Sequence, residues 1–413
     1  MNWKIFYIAL RNVFKNKRRS TLNMLTFALN VFVILVGFGI QQGQLDSMIN
    51  KMIDLQIGHI KIYAKGYTDE KRTLPLDINI ADPGKVIDAI KGAPGFVAAS
   101  PRIIHPGIIS DTNRKMNVIV NGIDMDMEKK ILTAYDKIDG SGLGSGAEVI
   151  VGKKLAEIMK LSGSENLMLY SQTVYNANNL EDVDVKGIYS VGFDNMEKIN
   201  VFIPYAFAQR FFDMKGHATE IIIKLKDMGS VPQATKYIKG VLASRFPGLE
   251  ALDWKEEAPE LIETVRMKHT SLAVFTAVLL FLAFFIITNT ITMTVYERIP
   301  EIGTLRAMGL EKGQVRSIFI TEGILLGIFG VIIGYIVSAP MMYYLVTHGI
   351  YIDPSITAAL SVPMDFHMKA ANSPVIWIMA GVICIIAGLF GAYFPANMAA
   401  ETKIVDALKR GVK

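Results

Sequence analysis

Four long apolar runs, separated by stretches rich in charged and polar residues, set the pattern of this chain. They occupy residues 21–40, 271–295, 318–346 and 375–396. Because a membrane-spanning helix requires about 20 predominantly apolar residues, each run predicts a transmembrane helix. We therefore expect an α-helical membrane protein with four transmembrane helices.

The stretch between the first two runs, residues 41–270, is polar and long enough to form a domain of its own. Strand–helix–turn–strand patterns occur near both of its ends, in residues 43–124 and 215–257. Residues 125–214, between them, are richer in strand-like alternation. This order predicts a large α/β extracytoplasmic domain that carries a β-rich insertion.

Several elements of this domain can be predicted with bounds. Strands are expected at residues 96–110 and 220–225 and a helix at residues 231–245. Asp82, followed by Pro83, has the pattern of an acidic N-cap that opens a helix.

The insertion contains two predicted strands, residues 167–173 and 183–190, which alternate between apolar and polar positions. A largely polar connection, residues 174–182, joins them. This connection is a candidate loop for contact with another protein.

Basic residues place the shorter segments relative to the membrane. Residues 1–20 contain six Lys and Arg residues and no acidic residue, which favours a cytoplasmic amino terminus. Alternation of sides then makes residues 296–317 cytoplasmic, residues 347–374 an extracytoplasmic loop and residues 397–413 a cytoplasmic tail. The net charge of +5 is concentrated at these edges, so it does not indicate a nucleic-acid partner.

Residues 1–20 are predicted to form an amphipathic helix at the inner interface. Its apolar face would consist of Trp3, Phe6, Tyr7, Leu10, Val13 and Phe14.

No catalytic, metal or nucleotide motif is recognisable. The six histidines lack metal-ligand spacing, no phosphate-binding loop occurs, and the single cysteine, Cys384, lies in the last apolar run. The paired carboxylates Glu256 and Glu257 fall in a polar stretch and are expected to be solvated. Glu322 stands at a membrane edge, where a snorkelling or capping role is expected. A membrane-anchored enzyme is therefore disfavoured, and no cofactor is expected in this chain.

The cytoplasmic stretch at residues 296–317 is short, charged and amphipathic. Ile302, Leu305, Met308 and Gly309 recur at helical spacing. This pattern predicts a short helix that offers one face to a separate subunit, and the alternative is a solvated connector between two spans.

The residues from Glu297 to Gly309, ERIPEIGTLRAMG, together with Glu322-Gly323, resemble the coupling segment of the FtsX-like/macrolide-exporter (type VII) permeases of ABC transporters. The resemblance implies that a partner ATPase subunit docks here and binds ATP and Mg, and that a second permease copy or paralogue completes the transporter. It also implies a bacterial inner-membrane location with both termini cytoplasmic. The implied ATPase-coupling residues are Glu297, Arg298, Glu301, Ile302, Leu305, Arg306, Met308 and Gly309.

Shorter sequence motifs in the extracytoplasmic region look most like those of the lipoprotein-releasing branch of these permeases. They include Gly58-His59-Ile60 and Val201-Phe202-Ile203-Pro204. That branch implies release of lipoproteins from the inner membrane to a periplasmic carrier. Candidate carrier contacts are Thr173, Val174, Tyr175, Asn176, Asn178 and Asn179. A macrolide-export type of efflux and a mechanotransmitter that activates a cell-wall hydrolase remain as alternatives.

Small and polar residues within the spans predict close helix packing rather than a substrate site. Asn30 lies near the middle of the first span, where it would contact a second permease or another span of the same chain. The candidate packing residues are Asn30, Gly323, Gly327, Gly334 and Gly388.

Overall fold

The computed structural model describes residues 3–15, 17–132, 138–161, 163, 165–351 and 367–404. These residues fall into two compact units. The helical unit takes in the described residues up to Asp46, from Val265 to Tyr351 and from His367 onward. The mixed unit takes in the described residues from Ser47 to Thr264.

The helices, in chain order, are α1 (Trp3–Lys15), α2 (Lys17–Met52), α3 (Pro83–Ile90), α4 (Met125–Glu128), α5 (Lys153–Met159), α6 (Asp194–Ile199), α7 (Tyr205–Phe211), α8 (Val231–Arg245), α9 (Trp254–Glu257), α10 (Pro259–Glu297), α11 (Ile299–Ala307), α12 (Lys312–Thr347) and α13 (Pro374–Glu401). A π-helical segment, Ile53–Ile57, follows α2, and a 3₁₀ turn, Met228–Ser230, precedes α8.

The strands are β1 (Ile60–Ala64), β2 (Ile80–Ala81), β3 (Phe96–Ser110), β4 (Lys115–Ile123), β5 (Ile138–Gly140), β6 (Glu148–Gly152), β7 (Asn166–Gln172), β8 (Asn178–Tyr189), β9 (Asn200–Pro204), β10 (His217–Ala218), β11 (Glu220–Leu225), β12 (Leu249–Asp253), β13 (Ile350–Tyr351) and β14 (His367–Met368).

Four helices of the described chain, α2, α10, α12 and α13, are long and apolar enough to cross a membrane. Their core includes the fully buried side chains of Phe27, Ile287 and Phe319 and the buried Cys384. The predicted fold class, four membrane helices with a large α/β domain, is confirmed. The predicted extracytoplasmic loop and the tail lie partly outside the described residues, at positions 352–366 and 405–413.

The apolar residues of α1 divide between two environments. Val13 is buried, and Phe6 and Leu10 pack against the core of the helical unit. Trp3 and Tyr7, by contrast, are 78% and 61% exposed. Only part of the predicted apolar face is therefore covered by the chain's own helices.

The mixed unit is organised by one continuous ten-stranded sheet. Its order is β12-β1-β11-β3-β4-β9-β6-β8-β5, and β7 pairs with both β3 and β8. The pairs β4–β9 and β6–β8 are parallel, and the other pairs in this sheet are antiparallel. Strands of the predicted insertion thus hydrogen-bond directly to strands of the flanking α/β part.

The sequence placed β3, β11 and α8 with the bounds that the structure has. One finer expectation was wrong. β8 begins at Asn178, so only the first part of residues 174–182 is a turn. The predicted start of α3 is confirmed, since Asp82 is its N-cap residue and Pro83 its first residue, but the Asp82 carboxylate makes no capping hydrogen bond and pairs with Lys85 at 2.6 Å.

Alternation along β1 and β11 gives the sheet two different faces. Ile60 and Ile62 of β1 and Ile221 and Ile223 of β11 belong to the apolar core that also contains residues of α3 and α8. Because successive side chains of a strand point to opposite faces, the intervening residues of β1 and β11 must lie on the other face. That face carries a buried ionic cluster, described below.

Candidate functional site

The exposed face of α11 is the first candidate site. Pro300 stands in its first turn, where a missing N–H costs nothing, and the helix is nine residues long. Glu301, Thr304 and Met308 are exposed, Met308 by 72%, and Leu305 is half-buried. These positions, spaced three and four apart, form one helical stripe.

The opposite stripe of α11 packs inward. Ile299, Ile302 and Gly303 are buried, and Ile302 belongs to the core of the helical unit. The expectation that Ile302 shares one face with Leu305 and Met308 was wrong, because spacing alone does not tell which stripe of an amphipathic helix meets its own bundle.

Gly309 has a backbone reason for its position. Its φ is +102°, a conformation that favours glycine. The N–H of Leu310 donates to Leu305 O, and the N–H of Gly309 donates to Arg306 O, at 3.1 Å each. This is a Schellman motif, so Gly309 ends α11.

Ion pairs tie α11 and the end of α10 to the amino-terminal helices. Lys15 Nζ lies 3.1 Å from Glu301 Oε1, and Arg19 donates to both carboxylate oxygens of Glu297. Arg298 Nε donates to Glu301 Oε2 at 3.0 Å. The hydrogen bonds from Arg298 and, more weakly, Lys15 hold the pKa of Glu301 below its usual range, so this carboxylate is charged at neutral pH.

Arg306 links α11 to the carboxyl end of α13. Its Nη1 donates to Ala400 O at 3.2 Å and to Thr402 O at 2.5 Å. Carbonyls at a helix end lack partners within the helix, and a guanidinium satisfies them well. Among the predicted coupling residues, Arg306 is therefore engaged within the chain.

Glu322 is not a snorkelling residue. It is 7% exposed, and its Oε2 lies 3.6 Å from Arg298 Nη1 without a hydrogen-bond donor. The same arginine contacts Glu301 on α11, so Arg298 bridges α11 and the first third of α12.

The glycines predicted to pack helices lie in two tight seams. A Cβ on Gly323 would be 2.5 Å from Ala392 Cβ, and one on Gly388 would be 2.8 Å from Gly323 O, so α12 and α13 touch backbone to backbone. Gly327 of α12 also faces α13, where an added Cβ would be at ordinary contact distance. A Cβ on Gly334 would instead lie 2.7 Å from Val31 Cβ on α2. Asn30 donates to Thr26 O of its own helix at 2.9 Å.

The turn between β7 and β8 is compact and anchored. The N–H of Val174 donates to Phe212 O at 3.0 Å, and Asn179 Nδ2 donates to Phe211 O at 2.8 Å. Thr173 is buried, and Asn176 adopts a left-handed φ of +58°. Tyr175 stands out from this frame with 78% exposure.

Sequence reasoning missed the buried ionic cluster of the mixed unit. Tyr63 on β1 pairs across with Glu220 on β11, which pairs with Arg102 on β3. Lys61 Nζ lies 3.0 Å from Glu220 Oε2 and 3.3 Å from Glu257 Oε1. The signal was present as charged residues at alternate positions inside apolar strands.

Two further residues complete this cluster. Arg102 makes a bidentate pair with Glu128 at 2.6 and 2.7 Å, and Lys71 Nζ lies 2.7 Å from Glu257 Oε1. The expectation that Glu257 is solvated was wrong, since its side chain is 6% exposed. Glu256 is exposed, as expected of a residue in a polar stretch, and its carboxylate accepts from the backbone N–H of Asp253, the N-cap residue of α9.

The cluster maintains its charges. Burial opposes the charge of Lys61, but Glu220 and Glu257 raise its pKa above the usual value. Burial also opposes ionisation of Glu220, but Lys61 and Arg102 lower its pKa below the usual range. Among the described residues, no group of His, Cys, Asp and Glu side chains could hold a metal ion.

Comparisons with known proteins identify the family. The model of the MacB-like periplasmic core domain matches residues 20–241, and that of the FtsX-like permease C-terminal matches residues 273–404.

Three relatives align along most of this chain. The lipoprotein-releasing system transmembrane protein LolC of Xylella fastidiosa is 22% identical over 94% of this chain and 93% of its own length. LolC of Neisseria meningitidis serogroup B is 20% identical over 98% of each chain. The macrolide export ATP-binding/permease protein MacB 2 of Aeromonas hydrophila is 22% identical over 98% of this chain and 60% of its own length.

These matches and the four apolar helices fit an inner-membrane protein. The chain belongs to the FtsX-like permeases with a MacB-like periplasmic core, and it is an ABC transporter permease of the FtsX/MacB/LolC type.

Proposed function

We propose that this permease couples ATP hydrolysis by a partner subunit to movement of its extracytoplasmic domain, and that it thereby releases lipoproteins from the inner membrane. The observation that carries the proposal is the exposed stripe of α11, which presents Glu301, Leu305 and Met308. Glu301 of this stripe forms ion pairs with Lys15 and Arg298. In this topology α11 and both termini are cytoplasmic, and residues 41–270 are extracytoplasmic. A second permease, a copy or a paralogue, completes the transporter.

The ion pairs of α11 supply a route for the movement. Arg298 contacts Glu301 on α11 and Glu322 on α12, and Arg306 holds the end of α13. A push on the exposed stripe would therefore reach two spanning helices through charge-assisted hydrogen bonds, which are the stronger class.

The double variant Leu305→Asp/Met308→Asp tests the docking role. Because neither side chain is buried, the fold should persist, while a desolvated carboxylate at a docking surface is costly. When the tagged chain is purified from native membranes, we expect ATPase recovery and ATP hydrolysis to fall at least tenfold, which corresponds to about 1.4 kcal/mol or more.

The matched control places the same charges on exposed apolar positions of the mixed unit, Val97→Asp/Met127→Asp, where the side chains are 52% and 43% exposed. This control should copurify the ATPase like the wild type. Equal ATPase recovery from both double variants would contradict docking at α11.

Lipoprotein release is favoured over macrolide efflux by two observations. The LolC relatives are matched along nearly their whole length, and the β7–β8 turn presents Tyr175 on an anchored frame that a carrier protein could contact. The relatives named for macrolide export have a similar sequence identity to this chain, so macrolide efflux is the second candidate function.

Tyr175→Asp tests the carrier contact. In proteoliposomes that contain the complex and an acylated lipoprotein, with a soluble carrier outside, ATP-dependent release should fall about tenfold, as expected when an exposed aromatic anchor is lost. ATP hydrolysis should be retained. Met168→Asp, an exposed change on β7 of the same hairpin, should release normally. Unchanged lipoprotein release by the Tyr175→Asp variant would contradict a carrier contact at the β7–β8 turn. Efflux of a macrolide without lipoprotein release would favour the second candidate function.

A further inference from the structure

The amino-terminal helix α1 has an aromatic stripe that the chain leaves uncovered. Ala9 and Val13 are buried in the core of the helical unit. Trp3, Tyr7 and Phe14 are exposed instead, and they lie within about 40° of one another around a helix with 3.6 residues per turn. Because exposure of apolar rings to water is unfavourable, this aromatic stripe favours an apolar environment outside the chain.

A basic stripe lies beside the aromatic stripe. Arg11 and Lys15 are exposed, and they lie about 80° and 120° around the helix axis from the first aromatic residue. Lys17 and Arg18, at the start of α2, are exposed as well. Arg11, Lys17 and Arg18 form no ion pair with any described residue, and α1 contains no acidic residue. These three cations are therefore available to an anion outside the chain.

Contacts of α1 indicate how the two stripes are oriented relative to the bilayer. Phe14, from the aromatic stripe, lies against Phe329 of α12, with ring centroids 5.7 Å apart. Phe329 is about three turns inside the apolar run at residues 318–346. Lys15, from the basic stripe, pairs with Glu301 on α11, outside the apolar runs. The aromatic stripe therefore points into the bilayer, and the basic stripe points toward its surface.

An anionic phospholipid has the chemistry that both stripes require. Its acyl chains provide the apolar environment, and aromatic side chains are typical of the membrane–water interface. Its phosphate accepts charge-assisted hydrogen bonds from guanidinium and ammonium groups. Basic residues on an interfacial amphipathic helix are attracted to anionic lipids. An acidic protein surface would also attract the cations, but the aromatic stripe is directed into the bilayer.

We propose that α1 and the start of α2 form a binding site for anionic phospholipid. The acyl chains pack against the aromatic stripe, and the headgroup accepts hydrogen bonds from Arg11, Lys17 and Arg18. The bound lipid holds α1 at the membrane surface, and the ion pair between Lys15 and Glu301 extends this anchoring to α11. Lipid binding at α1 depends neither on the substrate of the transporter nor on ATP hydrolysis.

The test measures how brominated lipids quench the fluorescence of Trp3. The full chain is reconstituted into phosphatidylcholine bilayers with increasing fractions of dibrominated phosphatidylglycerol or dibrominated phosphatidylcholine. The Trp3→Phe variant, measured in parallel, gives the signal of Trp254 and Trp377, which is subtracted. We expect half-maximal quenching of Trp3 at an about fivefold lower fraction of the brominated phosphatidylglycerol, and high salt should reduce this preference.

A triple variant tests the role of the three free cations. Because all three side chains are exposed, Arg11→Gln/Lys17→Gln/Arg18→Gln should fold and should be quenched equally by the two brominated lipids. The charge-conserving variant Arg11→Lys/Arg18→Lys should keep the preference for phosphatidylglycerol.

The matched control removes three exposed charges from the mixed unit. Lys129→Gln/Lys130→Gln/Lys236→Gln should keep the lipid preference of the wild type. Equal quenching of the wild type by the two brominated lipids would overturn the proposal, as would an unchanged preference in the triple variant of α1 and α2. If that variant instead loses the ATPase subunit on purification while its lipid preference is unchanged, the cations bind an acidic protein surface and not a lipid.

Discussion

Gly323→Leu is expected to destabilise the helical unit by about 3 kcal/mol, because the interface between α12 and α13 has no space for a side chain at this position. Its Cβ would lie 2.5 Å from Ala392 Cβ and 2.8 Å from Gly388 O, and the second of these is backbone that cannot rotate away. The helices α12 and α13 would have to separate. The midpoint of thermal unfolding of the full chain in detergent should fall accordingly.

The control for this substitution lies on the same helix. A Cβ added at Gly313 would have no other atom within 4 Å, so Gly313→Leu adds the same side chain without a clash and improves helix propensity. Its thermal midpoint should equal or exceed that of the wild type. Similar losses in both variants would contradict a packing role for Gly323.

Glu128→Gln is expected to destabilise the mixed unit by about 3–5 kcal/mol, since it leaves a buried guanidinium without its bidentate partner. The side chains of Arg102 and Glu128 are 5% and 0% exposed. For a domain of this size each kcal/mol lowers the unfolding midpoint by about 2–4 °C, so a loss of about 10 °C should be measurable by tryptophan fluorescence or by limited proteolysis.

An exposed ion pair supplies the comparison. Asp88 and Lys91 are 2.7 Å apart, but their side chains are 72% and 61% exposed. Asp88→Asn should therefore cost less than about 0.5 kcal/mol. If Glu128→Gln melts at the temperature of Asp88→Asn, the buried cluster contributes little to the stability of the mixed unit.

Periodicity predicted the elements whose pattern is set locally. Phe96–Ser110, Glu220–Leu225 and Val231–Arg245 have bounds marked by turns, prolines or charges, and the structure retains them. The long apolar runs predicted the spans for the same reason, since length and composition alone make them helices in lipid.

What escaped the sequence depends on contacts between distant segments. The polar sequence around Glu257 suggests a solvated side chain. In the structure this side chain is buried and forms ion pairs with Lys61 and Lys71, which lie almost two hundred positions upstream along the chain. The inward stripe of α11 likewise depends on which helices surround it, and no local pattern reveals that choice. The start of β8 at Asn178 depends on pairing with β7, from Gln172 to Asn166.

The burial of Cys384 has a practical consequence for mapping this protein. It is the only cysteine of the chain, and it is 1% exposed in the core of the helical unit. Thiol reagents should therefore leave the native chain unlabelled while it is folded. A single cysteine introduced at Met308 or Tyr175 then becomes the sole reactive handle, and a membrane-impermeant maleimide reports directly which side of the bilayer each position occupies.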